Sequence, residues 1–237
     1  MDELAASLKN IRQRIAQAAA RAGRNPESVT LLGVSKGQPA EKVLAAARLG
    51  LRDFGENYVQ EWQKKRADLE RADAGLAAQL RWHFIGHLQS NKADLVVGET
   101  TLIHGVDSLK LATKIAALAQ RRGLRQAVLL EVNLEGEASK AGLAPEELPR
   151  LLPALAALPQ LDCRGLMAIP PALEAPEASR PYFRRLKSLL DECNRTGFFP
   201  SPWTELSMGM SHDFEVAVEE GATLVRVGTA LFGPRSG

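Results

Sequence analysis

The sequence of 237 residues lacks the features that mark several protein classes. It has only two cysteines, Cys163 and Cys193, which excludes a disulfide framework and indicates a reducing compartment. No apolar run approaches the roughly 20 residues that a transmembrane helix needs. The start, Met1-Asp2-Glu3, is acidic where a signal peptide would be basic. We therefore expect a cytoplasmic protein with no membrane partner.

An excess of charge of one sign is also lacking. The 30 lysines and arginines and the 28 acidic residues give a formal net charge of +2, and the basic residues are scattered. Scattered basic pairs on predicted helices are typical of solvated helix faces rather than of a surface that binds a phosphate backbone. No nucleic-acid partner is expected.

Short apolar runs alternate with amphipathic helical patterns along the whole chain. A helix with apolar residues from Leu4 to Ile15 comes first, and eight strand-length runs follow, at about 30–36, 52–55, 82–85, 102–104, 127–132, 161–167, 205–207 and 223–227. Continuous apolar strands that alternate with helices indicate a parallel sheet covered by helices. We expect a single domain over residues 1–237, a (β/α)8 TIM barrel with an extra N-terminal helix. An open doubly wound sheet is the alternative.

The first strand ends in a lysine, Lys36, which the turn signal Gly37-Gln38-Pro39 follows directly. Because side chains alternate along a strand, Lys36 shares a face with Leu32 and Val34 and should lie at the rim of a core. Such a lysine either extends its ammonium group to solvent or acts as an amine nucleophile whose pKa is depressed by desolvation. The position of Lys36 alone favours the first interpretation.

Closure of a barrel would bring Gly228-Thr229, after the last strand, beside Lys36. The loops after strands 7 and 8 of such barrels commonly bind phosphate at the C-terminal face, where barrel enzymes place their chemistry. The loop 207–211 would add two hydroxyl groups, although Ser211 could simply cap the following helix. Arg226 should point into the barrel mouth, where its burial requires a partner such as a pyridine nitrogen, a phosphate or a carboxylate.

A strand-end amine, a phosphate-binding loop and an inward-facing arginine together suit pyridoxal 5′-phosphate (PLP), whose aldehyde a lysine can hold as an imine. Five motifs around these residues follow one another over nearly the whole chain: Val34-Ser35-Lys36, 54–61 (FGENYVQE), 82–92 (WHFIGHLQSNK), 207–211 (SMGMS) and 225–228 (VRVG). In these motifs the sequence resembles the pyridoxal phosphate homeostasis proteins, the YggS-like group, which is related to the N-terminal barrel domain of alanine racemase.

The resemblance implies roles for individual residues. Lys36 would form the internal aldimine with PLP, and Arg226 matches the arginine that faces the pyridine nitrogen in the racemase relatives. Asn57 matches a pocket position of less certain role. The residues expected around the phosphate are Ser207, Ser211, Gly228 and Thr229, and Met208 of the same loop is included among the cofactor-binding residues.

The resemblance also implies a function: binding PLP for its intracellular homeostasis or carriage, without efficient substrate turnover. Racemisation by two bases needs a second acid or base, which the racemase relatives take from an additional β-domain. Here the sequence ends at Gly237, ten residues after Val227. The alternatives are a PLP-dependent enzyme acting on amino acids, such as a racemase, or a barrel that binds another phosphorylated metabolite. We expect a monomer, with apo PLP-dependent enzymes as candidate recipients of the cofactor.

Four histidines and one loop complete the polar features of interest. His83 and His87 are four residues apart but straddle a strand end, so a zinc site is not expected. His104 and His212 have no evident partner and suggest packing or helix-terminal roles. The loop 135–140 carries mixed charge near the same barrel face. It is either a mobile lid or a solvated connection, and the second interpretation is favoured.

Overall fold

The computed structural model describes residues 2–136 and 141–234. Eight parallel strands each pair with the next, and the last pairs with the first to close a barrel. The strands are β1 (Thr30–Val34), β2 (Asp53–Glu56), β3 (Arg81–Phe84), β4 (Leu102–Val106), β5 (Gln126–Glu131), β6 (Leu161–Met167), β7 (Glu205–Met210) and β8 (Leu224–Val227). The expected (β/α)8 architecture is confirmed.

Helices surround the barrel and begin, as expected, with an extra N-terminal helix. The helices are α1 (Asp2–Arg21), α2 (Ala40–Arg48), α3 (Val59–Ala72), α4 (Ala74–Ala77), α5 (Leu109–Arg121), α6 (Leu148–Ala156), α7 (Arg180–Arg195), α8 (Phe214–Glu219) and α9 (Thr229–Phe232). Helix α1 packs against α8 and α9 with Leu8, Ile11 and Ile15, which helical spacing places on one face. None of the helices in the described part of the chain is long and apolar enough to cross a bilayer.

Two elements differ from the sequence-based expectation. After β3 the sequence predicts a helix that Ser90 caps and that continues to Val97. The structure has only a 3₁₀ turn at Ala93–Leu95, which begins without a side-chain cap and is followed by Gly98 at a φ of +78°. Strand β7 continues to Met210 instead of ending at Ser207, because a register shift between these two residues lets its ladder with β8 resume.

The alternation of side chains along the strands divides the core into two parts. Outward-facing residues such as Leu31 and Phe54 pack beneath the helices in the larger cluster. Inside the barrel lies a smaller apolar cluster, formed by Leu32, Ile85, Leu102, Ala127, Leu129, Met167 and Leu224. Val34 packs against this inner cluster, so the face of β1 that leads to Lys36 points into the barrel as predicted.

Helix α1 should contribute to the stability of the barrel. Ile11 is 1% exposed, so Ile11→Ala should lower the free energy of unfolding by about 2–5 kcal/mol through lost burial and a residual cavity. Lys9→Ala, at an exposed position of the same helix, should change it by less than about 0.5 kcal/mol. Urea denaturation of both variants measures the difference, and equal effects would show that α1 is not packed as described.

Candidate functional site

Lys36 lies two residues beyond β1, at the C-terminal mouth of the barrel. The Ser35 N–H donates to the Gly55 carbonyl oxygen at 3.1 Å, which extends the β1–β2 pairing to the residue before the lysine. Lys36 is partly buried and lines a cavity of about 20 Å³ together with Val34, Gly228 and Thr229, among others. The structure therefore brings Lys36 beside Gly228 and Thr229, as barrel closure predicted.

A buried ion pair supports the backbone directly before Lys36. Ser35 Oγ donates to Glu56 Oε1 at 2.6 Å, and Lys65 Nζ donates to the Ser35 carbonyl oxygen at 2.6 Å. Lys65 also contacts Glu56 Oε1 directly, and the two side chains are only 4% and 1% exposed. Burial raises the pKa of Glu56, whereas the charge of Lys65 and the hydrogen bonds from Lys65 and Ser35 oppose that rise.

Lys65 also supports the backbone after Lys36, through Glu61. The Gly37 N–H donates to Glu61 Oε1 at 2.6 Å, and Lys65 Nζ donates to this oxygen at 3.0 Å. Side chains of β2 and α3 therefore hold the turn on both sides of Lys36. The sequence does not reveal this support, because Glu61 and Lys65, four apart on a predicted helix, have the spacing of an exposed ion pair.

Two backbone N–H groups converge on one oxygen where α9 begins. Ser211 Oγ accepts from the Gly228 N–H at 3.2 Å and from the Ala230 N–H at 3.3 Å. Thr229, between them, is the first residue of α9. A Cβ on Gly228 would lie 3.4 Å from the Val34 carbonyl oxygen, which is a van der Waals contact distance and places this loop directly against the end of β1. The structure thus brings Ser211, Gly228 and Thr229 together beside Lys36.

Arg226 points into the barrel and is almost fully buried. Its Nη1 donates to the Ser207 carbonyl oxygen at 2.7 Å and to Ser207 Oγ at 2.6 Å, while Nη2 donates to the Ala168 carbonyl oxygen at 3.0 Å. Burial lowers the pKa of Arg226 to about 10, whereas the charges of Glu131 and Asp213 act in the opposite direction. At neutral pH the guanidinium therefore remains a charged donor.

Ser207 and Met208 belong to strand β7, away from the N–H groups at the start of α9. Ser207 is fully buried inside the barrel, and its hydroxyl contacts Arg226 and His104 instead of the N–H groups before α9. Met208, one residue later, faces the opposite way, and its side chain packs into the outer core. Only the backbone of Met208 can therefore reach the mouth.

Asn57 follows β2 at the rim of the mouth. Its Oδ1 atom is buried without a hydrogen-bond partner among the described residues. Asn57 lines a cavity of about 390 Å³ with Gly86, His87 and Lys92, among others. A Cβ on Gly86 would lie 2.5 Å from the Asn57 carbonyl oxygen, so this glycine is needed where the two loops meet. A buried, unpaired acceptor at a cavity calls for a donor.

Glu131 is a mouth residue that the sequence analysis did not select. It ends β5, is 9% exposed and lines a cavity of about 380 Å³ with Ile169 and Met210, among others. Burial and the nearby Asp107 raise the pKa of Glu131, and the charges of Arg226 and His87 lower it. The available signal was its place as the one polar residue in the apolar run 127–132, near the C-terminal end of a predicted strand.

The histidines have more partners than the sequence suggested. His104 is fully buried, and its imidazole lies 2.8 Å from Ser207 Oγ and 3.0 Å from the imidazole of His83, so the packing role expected for it was incomplete. His87 contacts Asp107 at 3.1 Å, and His212 contacts the Glu174 carbonyl oxygen at 3.1 Å. Over residues 2–136 and 141–234, no cluster of three or more histidine, cysteine or acidic side chains could hold a metal ion.

The loop 135–140, for which a lid was considered, falls largely outside the described residues, since only its first two positions belong to them. The two alternatives for this loop therefore stay as the sequence left them.

A parallel barrel of this kind also occurs in alanine racemase of Clostridium difficile 630, which superposes with a TM-score of 0.69 at 16% identity, over 100% of this chain and 58% of the other. The family described as "Alanine racemase, N-terminal domain" matches residues 6–236 of the chain. A pyridoxal phosphate homeostasis protein of Aquifex aeolicus is 47% identical over 228 residues, which cover 96% of each chain. One of Pseudomonas aeruginosa is 46% identical over 235 residues, which cover 99% of this chain and 97% of the other.

A solved structure agrees with this classification. PipY of Synechococcus elongatus, with PLP bound, superposes with a TM-score of 0.80 at 39% identity, over 92% of this chain and 100% of the other. The chain therefore belongs to the pyridoxal phosphate homeostasis protein family, within the larger group of alanine racemase N-terminal domains.

Removal of Lys65 should destabilise the fold strongly. Lys65→Met leaves the Glu56 carboxylate buried without its cation, which typically costs about 3–5 kcal/mol of unfolding free energy. Lys64→Met, at the neighbouring exposed position, should change stability by less than about 0.5 kcal/mol. Denaturant titrations of both variants at constant pH measure these effects.

The unfolding free energy lost in Lys65→Met should also depend on pH. The pKa of Glu56 is raised in the folded state, so its ionised form destabilises the fold as pH rises above the unfolded-state pKa of about 4.3. Without Lys65 that pKa should rise further, and the loss from Lys65→Met should be larger at pH 8 than at pH 5. A loss independent of pH would contradict the ion pair as its cause.

Proposed function

We propose that this protein binds PLP through Lys36 and acts in PLP homeostasis as a carrier or buffer of the cofactor. When bound, PLP supplies an aldehyde that condenses with a primary amine and releases one water molecule. The observation that carries the proposal is the shared cavity in which Lys36 meets Gly228 and Thr229, beside the converging N–H groups of the α9 loop.

The residues around Lys36 suit the other groups of PLP. The N–H groups of Gly228 and Ala230 already hold one oxygen, that of Ser211, and a phosphate oxygen accepts such donors equally well. Arg226 offers a donor that is charged at neutral pH to the ring nitrogen of PLP, and a nitrogen that accepts this hydrogen bond stays unprotonated. Asn57, with its unpaired buried oxygen, is assigned to the rim of the ligand site. Among the relatives, PipY has a structure with PLP bound.

The role in homeostasis follows from the family, whose curated members are named for it. We infer that the chain forms one PLP-binding domain, works as a monomer in the cytoplasm and passes PLP to apo PLP-dependent enzymes. Both cysteines are free, which fits a reducing compartment. Few large apolar side chains of the described residues are exposed. A monomer can leave so few in contact with water, so this surface does not require a second subunit. Two of these, Ile169 and Met210, lie at the mouth and could contact a recipient.

An enzyme acting on amino acids is the second candidate, and one observation favours it. Glu131 stands at the mouth with a raised pKa, as a general acid or base would. The carrier proposal assigns Glu131 no proton transfer to a substrate. The two functions therefore differ in the fate of the α-proton of an added amino acid.

Lys36 should carry the bound cofactor. Borohydride reduction of the PLP-loaded protein, followed by peptide mass mapping, should find the pyridoxyl group on Lys36. Lys36→Ala should weaken PLP binding at least about 100-fold, equivalent to about 2.7 kcal/mol, because the covalent bond is lost. Lys110→Ala, on the outer helix α5, is the matched control and should bind PLP like the parent. Labelling of another lysine, or full retention of PLP by Lys36→Ala, would refute the assignment.

Turnover should be slow or undetectable. In deuterated water with L- and D-amino acids, the PLP-loaded protein should exchange α-protons far below about 1 s⁻¹, a rate at the low end for enzymes. Glu131→Gln should leave this background unchanged. Rapid exchange that disappears in Glu131→Gln would instead establish the enzyme, with Glu131 as its acid or base.

A further inference from the structure

A continuous chain of hydrogen bonds crosses the barrel interior from Arg226 to Asp53. Arg226 Nη1 lies 2.6 Å from Ser207 Oγ, which lies 2.8 Å from His104 Nδ1. His104 Nε2 lies 3.0 Å from His83 Nδ1, and His83 Nε2 lies 3.1 Å from Asp53 Oδ1. The five residues come from β8, β7, β4, β3 and β2, and none of these residues is more than 7% exposed.

The chain crosses the barrel interior between two arginines. Arg226 is the residue before the last of β8, and Asp53 is the first residue of β2. Arg81 donates to both oxygens of Asp53, at 2.7 and 2.5 Å, and its own side chain is 56% exposed. A partly exposed arginine is thus connected to the buried arginine across the barrel interior.

Only one arrangement of protons satisfies the chain when both imidazoles are neutral. Burial opposes the ionisation of Asp53, but the hydrogen bonds from His83 and Arg81 and the charge of Arg81 outweigh it and lower the pKa, so this carboxylate only accepts. A neutral His83 must then donate from Nε2 and accept at Nδ1. Burial is the main cause that holds the pKa of His104 well below its usual value, and the charge of Arg226 adds to it, so His104 is neutral.

The same donor-to-acceptor order continues along the chain to Arg226. Because His83 accepts at Nδ1, His104 must donate from Nε2 and accept at Nδ1. The Ser207 hydroxyl then donates a hydrogen bond to His104 Nδ1, and its oxygen accepts one from Arg226, which can only donate. Each donor in the chain has an acceptor, and reversal of any one bond would set two donors or two acceptors against each other.

We propose that Ser207, His104, His83 and Asp53 are positioning residues that fix Arg226 as a donor toward the ligand in the mouth. Three of the five N–H groups of the guanidinium are used within the barrel, on Ser207 and Ala168. Because the Ser207 hydroxyl donates to His104, its oxygen always accepts from Arg226. This hydrogen bond keeps the guanidinium from turning away from the mouth. The effect on PLP rests on the proposed function, whereas the direction of the chain does not.

The proton arrangement can be tested without any ligand. The sequence has four histidines, so long-range ¹H–¹⁵N spectra of the imidazoles in the apo protein at pH 7 can be assigned by single substitutions of His87 and His212. His83 and His104 should both be neutral and protonated at Nε2. A proton on Nδ1 of either ring, or a doubly protonated ring, would overturn the proposal whether or not the protein binds PLP.

The effect on the site is tested with PLP itself. His104→Phe keeps a flat ring but breaks the chain, and it should weaken PLP binding about tenfold and shift the absorption maximum of the bound cofactor. Leu129→Ala is the matched control, since it removes packing from the same barrel interior without touching the chain. It should leave both the affinity and the absorption maximum close to those of the parent.

Equal effects of His104→Phe and Leu129→Ala on affinity and spectrum would show that the histidines serve packing alone. Ser207→Ala and Ser207→Thr provide a second comparison in case His104→Phe does not fold. Threonine keeps the hydroxyl and should retain most of the affinity, whereas alanine should lose about as much as His104→Phe. Failure of the parent itself to bind PLP would contradict the proposed function and leave the spectra of the apo protein as the test of the chain.

Discussion

The pairing of β8 with β1 is the constraint on which the site depends. The register sets Leu32 opposite Arg226 and Gly33 opposite Val227, so the two chain segments leave the sheet side by side. Nearly 200 residues separate Lys36 from Gly228 in the sequence, and barrel closure alone makes them neighbours. Parallel strands also end at the same face, which brings the ends of β1 and β8, with Lys36 and the turn before α9, to one opening.

Much of this arrangement could be predicted because it follows from local patterns. Apolar strands that alternate with helices specify the barrel, and strand alternation places Leu32, Val34 and Arg226 inside it. Where the prediction failed, the deciding interaction was not local. The contact of His104 with Ser207 joins residues 103 positions apart, and no spacing announces it. The segment after β3 follows helical propensity only for a single turn, because Gly98 ends it.

Two groups of side chains occupy the barrel interior. One is an apolar cluster around Leu32 and Leu129, and the other is the polar chain from Arg226 to Asp53. A buried arginine without a carboxylate in direct contact requires acceptors, and the barrel supplies them from carbonyl oxygens and the Ser207 hydroxyl. Strand alternation placed Arg226 inside the barrel, as the structure has it. The family resemblance assigned Ser207 to the phosphate, and no local pattern showed that its hydroxyl contacts Arg226 and His104.

The turn that carries Lys36 is held by α3 as well as by the neighbouring strand β2, through Lys65 and Glu61. The position of Lys36 is therefore tied to the packing of a helix on the outside of the barrel. A substitution beneath α3 that shifts this helix would also shift the backbone on both sides of Lys36, although it lies outside the mouth.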